Sequence, residues 1–348
     1  MWNHERGRGA MSTIEITELL GDGIAPELRE SLYSVAEVLP LEFNFIPFDL
    51  TLENRESGDR ELFDKVYESM NATKLAIKYP TITKTKSPNA IIRRQCNFSV
   101  ILRPVISIKG IKTNFTEEVF LYIVRVATGG TYDDPGRMIG KDAAVSIRIV
   151  ERGPCRQAAK YAFEFARKKT LRVTSSSKHT IQKATDGLFQ SVVEEVHQEY
   201  RDIPHNVELF DALLAKIILN PENYEVVLVL NEYGDFLSDM ASGLIGSIGT
   251  GASGNFSFTD DDKVDIAMFD PSGGTAPDIA GKNLCNPTAM FLAFGMLLDH
   301  IDRYDVGHEI RLAILSAIAE GECTRDIGGK LGTKDYTGVI IDRLRDKF

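Results

Sequence analysis

Leu20-Gly21-Asp22-Gly23-Ile24-Ala25-Pro26-Glu27 follows the strand-like run Ile14–Leu20 and precedes a helical pattern over residues 26–39. Two glycines around an aspartate make a tight turn. A proline just after it suits the first helical position, where no backbone N–H is needed. A glycine-rich turn between strand and helix is also where a Rossmann domain holds a dinucleotide pyrophosphate, but that fingerprint requires a third glycine. Pro26 stands in its place, so the segment predicts an α/β protein that is not a Rossmann fold.

Working outward, strand and helix patterns keep alternating. Strands are predicted over 41–47, Leu75–Lys78, 121–126, 171–175 and 226–230, and helices over 61–73, 156–169 and about 180–200. Residues 226–230 form a β-branched apolar run expected in a buried strand. Residues 243–254 carry five glycines and read as a loop or tight crossing between domains. At 348 residues the chain exceeds the usual size of one core, and two domains are expected.

The formal charge of −10 opposes a nucleic-acid surface, which needs a basic face. No apolar run of spanning length occurs, and the start lacks a secretory apolar stretch, so no membrane association and a cytoplasmic location are expected. Residues 1–10 read as a disordered extension ahead of Met11. Cys96, Cys155, Cys285 and Cys323 have no paired spacing and are expected to be reduced and mostly buried.

In so acidic a chain, cations gathered in one place suit a polyanionic small molecule. Arg93, Arg103 and Arg125 are candidates, because guanidinium groups bind planar carboxylates through paired hydrogen bonds. Asn231-Glu232-Tyr233-Gly234-Asp235-Phe236-Leu237-Ser238-Asp239 sets Asp235 and Asp239 on one face of a helical turn. Their hard oxygens suit Mg2+ or Mn2+.

Together with Thr324-Arg325-Asp326-Ile327-Gly328-Gly329, these segments resemble the isocitrate and 3-isopropylmalate dehydrogenases over nearly the whole chain. The resemblance implies a two-domain fold with a large mixed central sheet flanked by helices. Residues 11–101 and 255–348 would form the large cofactor-binding domain, and residues 102–254 a small domain with the dimer interface and metal site. It implies a homodimer with shared sites, in which Arg93, Arg103 and Arg125 hold substrate carboxylates. Asp235 and Asp239 would bind the metal with Asp211 of the other subunit. Lys178, also reaching across the dimer, would help deprotonate the 2-hydroxyl, and Tyr132 would protonate the enol left by decarboxylation. Ser87 and Asn89, in Ser87-Pro88-Asn89-Ala90-Ile91-Ile92-Arg93, are similar to the pair that binds the third carboxylate of isocitrate. Ser87 is equally an N-cap, and the two roles are compatible.

Gly274-Thr275-Ala276-Pro277-Asp278-Ile279-Ala280-Gly281-Lys282 and Asn286 resemble the family's adenosine-binding loop, with Thr83 also on the cofactor side. Asp278 accepts hydrogen bonds from free ribose hydroxyls and would repel a 2′-phosphate, which implies NAD. The expected reaction is NAD-dependent oxidative decarboxylation of isocitrate to 2-oxoglutarate. Isopropylmalate, homoisocitrate, tartrate or D-malate are the alternative substrates, and a non-catalytic regulatory subunit is a different class of answer. Gly273, Thr180, Tyr79 and the segment Val126-Ala127-Thr128-Gly129-Gly130 depart from the pattern of isocitrate enzymes.

Overall fold

The computed structural model describes residues 13–57, 61–84, 87–115, 118–246 and 250–348, and the extension expected over residues 1–10 lies outside them. The opening segment folds as strand, turn and helix: β1 (Ile14–Leu20) is followed by α1 (Ala25–Ala36). Then come β2 (Phe43–Asp49), the short α2 (Leu52–Glu56), α3 (Leu62–Thr73) and β3 (Leu75–Lys78). Ser87 caps α4 (Pro88–Gln95), accepting from the Ala90 amide. The chain continues through β4 (Val100–Ile106), β5 (Phe120–Val126) and the ribbon of β6 (Arg137–Ile139) and β7 (Ala143–Val145). Next are α5 (Arg152–Lys169), β8 (Val173–Ser177), α6 (Thr185–His197), β9 (His205–Leu209), α7 (Phe210–Leu219) and β10 (Val226–Val229). It closes with α8 (Asn231–Leu244), β11 (Ala252–Phe258), β12 (Val264–Pro271), α9 (Thr288–His300), α10 (Tyr304–Ala319) and α11 (Thr333–Arg345).

Ten strands form one mixed sheet in the order β2-β1-β3-β12-β11-β4-β5-β10-β8-β9. The two flanks are parallel, and β12, β11, β4 and β5 pair antiparallel in the middle. Several expected boundaries move, the strand expected over 41–47 to Phe43–Asp49 among them, and three changes bear on the site or its packing. The helix expected from residue 180 begins at Thr185, because residues 180–184 turn back and let Asp186 capture the Lys178 amide. The strand expected at 171–175 lies at Val173–Ser177, in register with His205–Leu209. The last residues of the glycine-rich stretch, Ala252 to Gly254, belong to β11 and not to a loop. A Cβ on Gly254 would press within about 3 Å of the Phe256 and Phe269 rings, so this glycine serves packing inside a strand.

Strand residues alternate between the two faces. On one face Ile16, Ile77, Val100, Val124, Val226 and Phe269 build a continuous core with α1, α5, α6, α9, α10 and α11. The other face carries two separate clusters. Leu19, Ala76, Ile266 and Met268 pack with α3 and α4, and Val105, Leu121, Ile123, Val227 and Val229 pack with α7 and α8. Lys78, Arg103, Arg125, Asn255 and Asp270 alternate in register with these residues and therefore face the gap between the clusters. All four cysteines are free and buried, and no described helix is long and apolar enough to cross a membrane.

Candidate active site

Arg125, on β5, is 2 % exposed. Its Nε donates to Asn231 Oδ1 at 2.9 Å, and a second guanidinium nitrogen makes an ion pair with Asp235. The room for this comes from Gly234, where a Cβ would lie 2.7 Å from the Arg125 side chain. Arg103, on β4, donates to Ser238 Oγ at 2.6 Å and lies 3.3 Å from Asp235 and 3.5 Å from Asp239. Its Nε is buried and has no partner. Arg93 lies in the last turn of α4 and donates to Asn255 Oδ1 at 3.3 Å; Asn255 in turn donates to Asp270 at 3.1 Å.

Three guanidinium groups thus converge in a protein of net charge −10. Burial pushes the pKa of Arg93 down, and burial with the nearby Arg103 lowers that of Arg125 to about 10. Burial pushes the Asp235 carboxyl up, but Arg125, Arg103 and the Tyr132 hydroxyl outweigh it and hold it below the carboxylate range. Tyr132 donates to Asp235 Oδ2 at 2.9 Å, and partial burial with this bond raises its phenol to about 12. Asn89, on α4, has a buried Oδ1 without a partner.

Lys178 and Asp211 pair with each other at 2.6 Å, and this bond holds the Asp211 carboxyl below its usual range. They belong to the β8, β9 and α7 end of the sheet, beyond β10 from the arginines. Among the described residues no three acidic, histidine or cysteine side chains gather as a metal would need. Asp235 and Asp239 offer hard oxygens one turn apart, so they suit a divalent cation once substrate oxygens or a further carboxylate complete the set.

The cofactor-side residues sit on a loop anchored by the opening turn. The Ile24 amide donates to Thr275 O at 2.9 Å, and Gly23, at φ +63, has no room for a side chain against Thr275. Asp22 accepts from the amides of Leu52 and Ile82, each at 2.8 Å. Glu27 accepts from the amides of Gly281 at 2.7 Å and Asn283 at 2.9 Å. The turn is thus a brace for the loops around it. Thr83, Gly274 and Asp278 are exposed, while Thr275, Ala276 and Asn286 are half-buried; Asn286 donates to Asp326 at 2.9 Å.

Sequence reading missed Asn255 and Asp270, and it gave no task to Glu27, Asp186, Asn231 and Ser238. Lys78 is also new: fully buried, it donates to Tyr79 O at 2.8 Å and Thr81 Oγ1 at 3.2 Å, and burial lowers its pKa to about 8.

The mixed sheet, with its polar gap lined by arginines and two carboxylates, has known relatives. Residues 15–340 match the isocitrate/isopropylmalate dehydrogenase family, and the chain belongs to that family. It is 32 % identical over 337 residues to mitochondrial isocitrate dehydrogenase [NAD] subunit alpha of Rattus norvegicus, covering 95 % of this chain and 90 % of that protein. Against mitochondrial isocitrate dehydrogenase [NAD] subunit 2 of Schizosaccharomyces pombe it is 33 % identical over 353 residues, covering 98 % and 90 %. The crystal structure of isocitrate dehydrogenase from Methylococcus capsulatus superposes with a TM-score of 0.88 at 32 % identity, covering 95 % of this chain and 99 % of that one.

Proposed function

We propose that the chain is an NAD-dependent isocitrate dehydrogenase that decarboxylates its substrate to 2-oxoglutarate with Mg2+ or Mn2+, two copies completing each other's sites. The observation that carries this is the convergence of Arg93, Arg103 and Arg125 around Asp235, with a buried Arg103 donor still unused. Three cations in an acidic chain suit a tricarboxylate. Asn89 and Ser87 line the approach from α4 for the third carboxylate.

In this reading the arginines fix the substrate, while Lys178 of a second copy takes the 2-hydroxyl proton. Tyr132 returns a proton to the carbon that has lost CO2, and its raised phenol keeps that proton available at neutral pH. A divalent cation on Asp235, Asp239 and the second copy's Asp211 would act as Lewis acid on the substrate's hydroxyl and keto oxygens. NAD, on the Gly274–Asn286 loop, would accept the hydride. The mutual pairing of Lys178 and Asp211, away from the arginines, is what a shared site asks of one chain. The exposed Met138 and Ile139 of the β6–β7 ribbon, with Ile147 just beyond it, offer an apolar surface to a second copy. The division into a domain of residues 11–101 and 255–348 and another of 102–254 goes with this reading, because the polar gap falls between the two helix clusters of one face. A cytoplasmic location belongs to the same proposal; the two NAD-linked relatives above are named as mitochondrial, and cell fractionation decides.

Thr128-Gly129-Gly130, closer to isopropylmalate enzymes, favours a second reading in which another 3-substituted malate is the substrate. Turnover of isocitrate, isopropylmalate, homoisocitrate, tartrate and D-malate with NAD and Mn2+ separates the two. Isocitrate should lead; a faster rate with another acid moves the assignment to that acid. No turnover of any of them by a metal-loaded dimer overturns the enzymatic reading.

A further inference from the structure

Three consecutive residues at the start of α8 hold three different parts of the site. Asn231 accepts from Arg125 and donates to Gly129 O at 2.9 Å. Glu232 accepts from Arg148 Nε at 2.6 Å and is seated against Gly130, where a Cβ would lie 1.9 Å from its carboxylate. Tyr233 donates to Asp186 Oδ2 at 3.1 Å, and its ring stacks on Phe210, the neighbour of Asp211, with centroids 4.3 Å apart.

These contacts converge on Asp186, which is 0 % exposed. Arg148 bridges it to Glu232, pairing with Asp186 through one nitrogen that also donates to Thr185 Oγ1 at 3.0 Å. The same Oδ2 that takes the Tyr233 hydroxyl also accepts the backbone N–H of Lys178 at 2.6 Å. Two buried carboxylates share one guanidinium, and one oxygen of Glu232 and one nitrogen of Arg148 remain buried without partners. As a source of stability this arrangement is poor, since hydrophobic residues of similar volume would serve as well or better. What it does fix is the place where the chain leaves β8 and presents Lys178.

We infer that Asp186, clamped by Arg148 and by the first turn of α8, is the positioning residue for Lys178. The inference rests on the reading that Lys178 acts in the site of a second copy. It follows that Asp186 serves the partner's site and not the arginine cluster of its own chain.

Subunit mixing tests this. Asp186→Asn as a homodimer should lose about tenfold or more in kcat with little change in KM for the acid, because misplacing a proton-transfer group by a fraction of an ångström costs turnover while the arginines still bind. Mixed with Asp235→Asn, it should regain up to one native site per heterodimer: the site built on the Asp186→Asn chain keeps its Asp235 and receives Lys178 from a chain with intact Asp186. Mixed with Lys178→Met, it should regain nothing, since both lesions lie in the donated lysine. Rescue by Lys178→Met but not by Asp235→Asn would show that Asp186 acts within its own cluster, and rescue by neither would show a general structural role. Either result overturns the inference. Lys178→Met mixed with Asp235→Asn is the control: if subunits exchange and that pair stays inactive, the shared-site reading fails, and the inference with it. Arg148→Lys keeps a cation between the two carboxylates but cannot hold both in the same fork. It should give the same pattern of rescue, and carries the test if Asp186→Asn does not fold.

Discussion

Arg103 sits 3.3 Å from Asp235 and yet keeps a buried Nε–H with no acceptor. A buried donor left unused is costly, and a substrate carboxylate is the acceptor that would satisfy it. Arg103→Lys retains the charge and removes the fork. Each charge-assisted bond contributes about 1.5–3 kcal/mol, so KM for the acid should rise about 10- to 100-fold, with the melting temperature little changed. An unchanged KM would mean that Arg103 only holds α8.

Asn89 lies on α4 with Oδ1 buried and unpartnered. Asn89→Leu should depress kcat/KM for isocitrate about tenfold or more and affect malate, which lacks the third carboxylate, far less. Steady-state comparison of the two acids reads this directly, and equal losses on both would remove Asn89 from recognition of the third carboxylate.

Asp278 is exposed on the loop braced by Glu27. Asp278→Lys should lower the ratio of kcat/KM for NAD over NADP by about 100-fold, since it replaces a ribose acceptor and a repulsive charge with a phosphate partner. A ratio that stays put would locate cofactor selection elsewhere.

Gly273 tests the same loop from the other side. A Cβ built there meets no atom within 4 Å, and its φ is not in the left-handed region. A ring added there would have room to stack on an adenine held by this loop. Gly273→His should fold normally and lower KM for NAD several-fold, as stacking of one aromatic ring supplies about 0.5–1.5 kcal/mol.

His205 is the clearest pH-sensitive point of stability. It contacts Ser175 Oγ at 2.9 Å and lies beside His197 and Phe163, and burial, with the His197 charge, lowers its pKa from 6.5 to about 4. The unfolded chain therefore binds the proton first. The stability linked to this group is complete above about pH 6.5 and is lost as pH falls toward 4, at up to about 1.4 kcal/mol per pH unit. His205→Asn should flatten the urea midpoint between pH 6.5 and 4.5 relative to the parent.

How much was legible beforehand varied with the kind of residue. The strand, turn and helix around Asp22 were readable because apolar period and turn chemistry are local properties. The meeting of Arg93, Arg103 and Arg125 was implied by family pattern, and the sheet realises it by bringing β4 beside β5. Asn255 was not legible: it lies beside a stretch whose glycines read as a loop, and only the rings of Phe256 and Phe269 explain why a glycine belongs in that strand. Glu27 and Asp186 were hidden for another reason. Each acts on backbone amides distant from it or turned back toward it, and amides leave no trace in a sequence.

The order of strands also bears on how the chain assembles. β3 and β4 are made within the first 106 residues, yet β11 and β12, which lie between them, end at Phe258 and Pro271. Until a ribosome has released most of the polypeptide, the two halves of the sheet have open edges at β3 and β4, where stray pairing is most dangerous. The last sheet strands to emerge act as a keystone, so nascent chains stalled before residue 252 should be the aggregation-prone species and those released beyond residue 271 the first able to close the sheet.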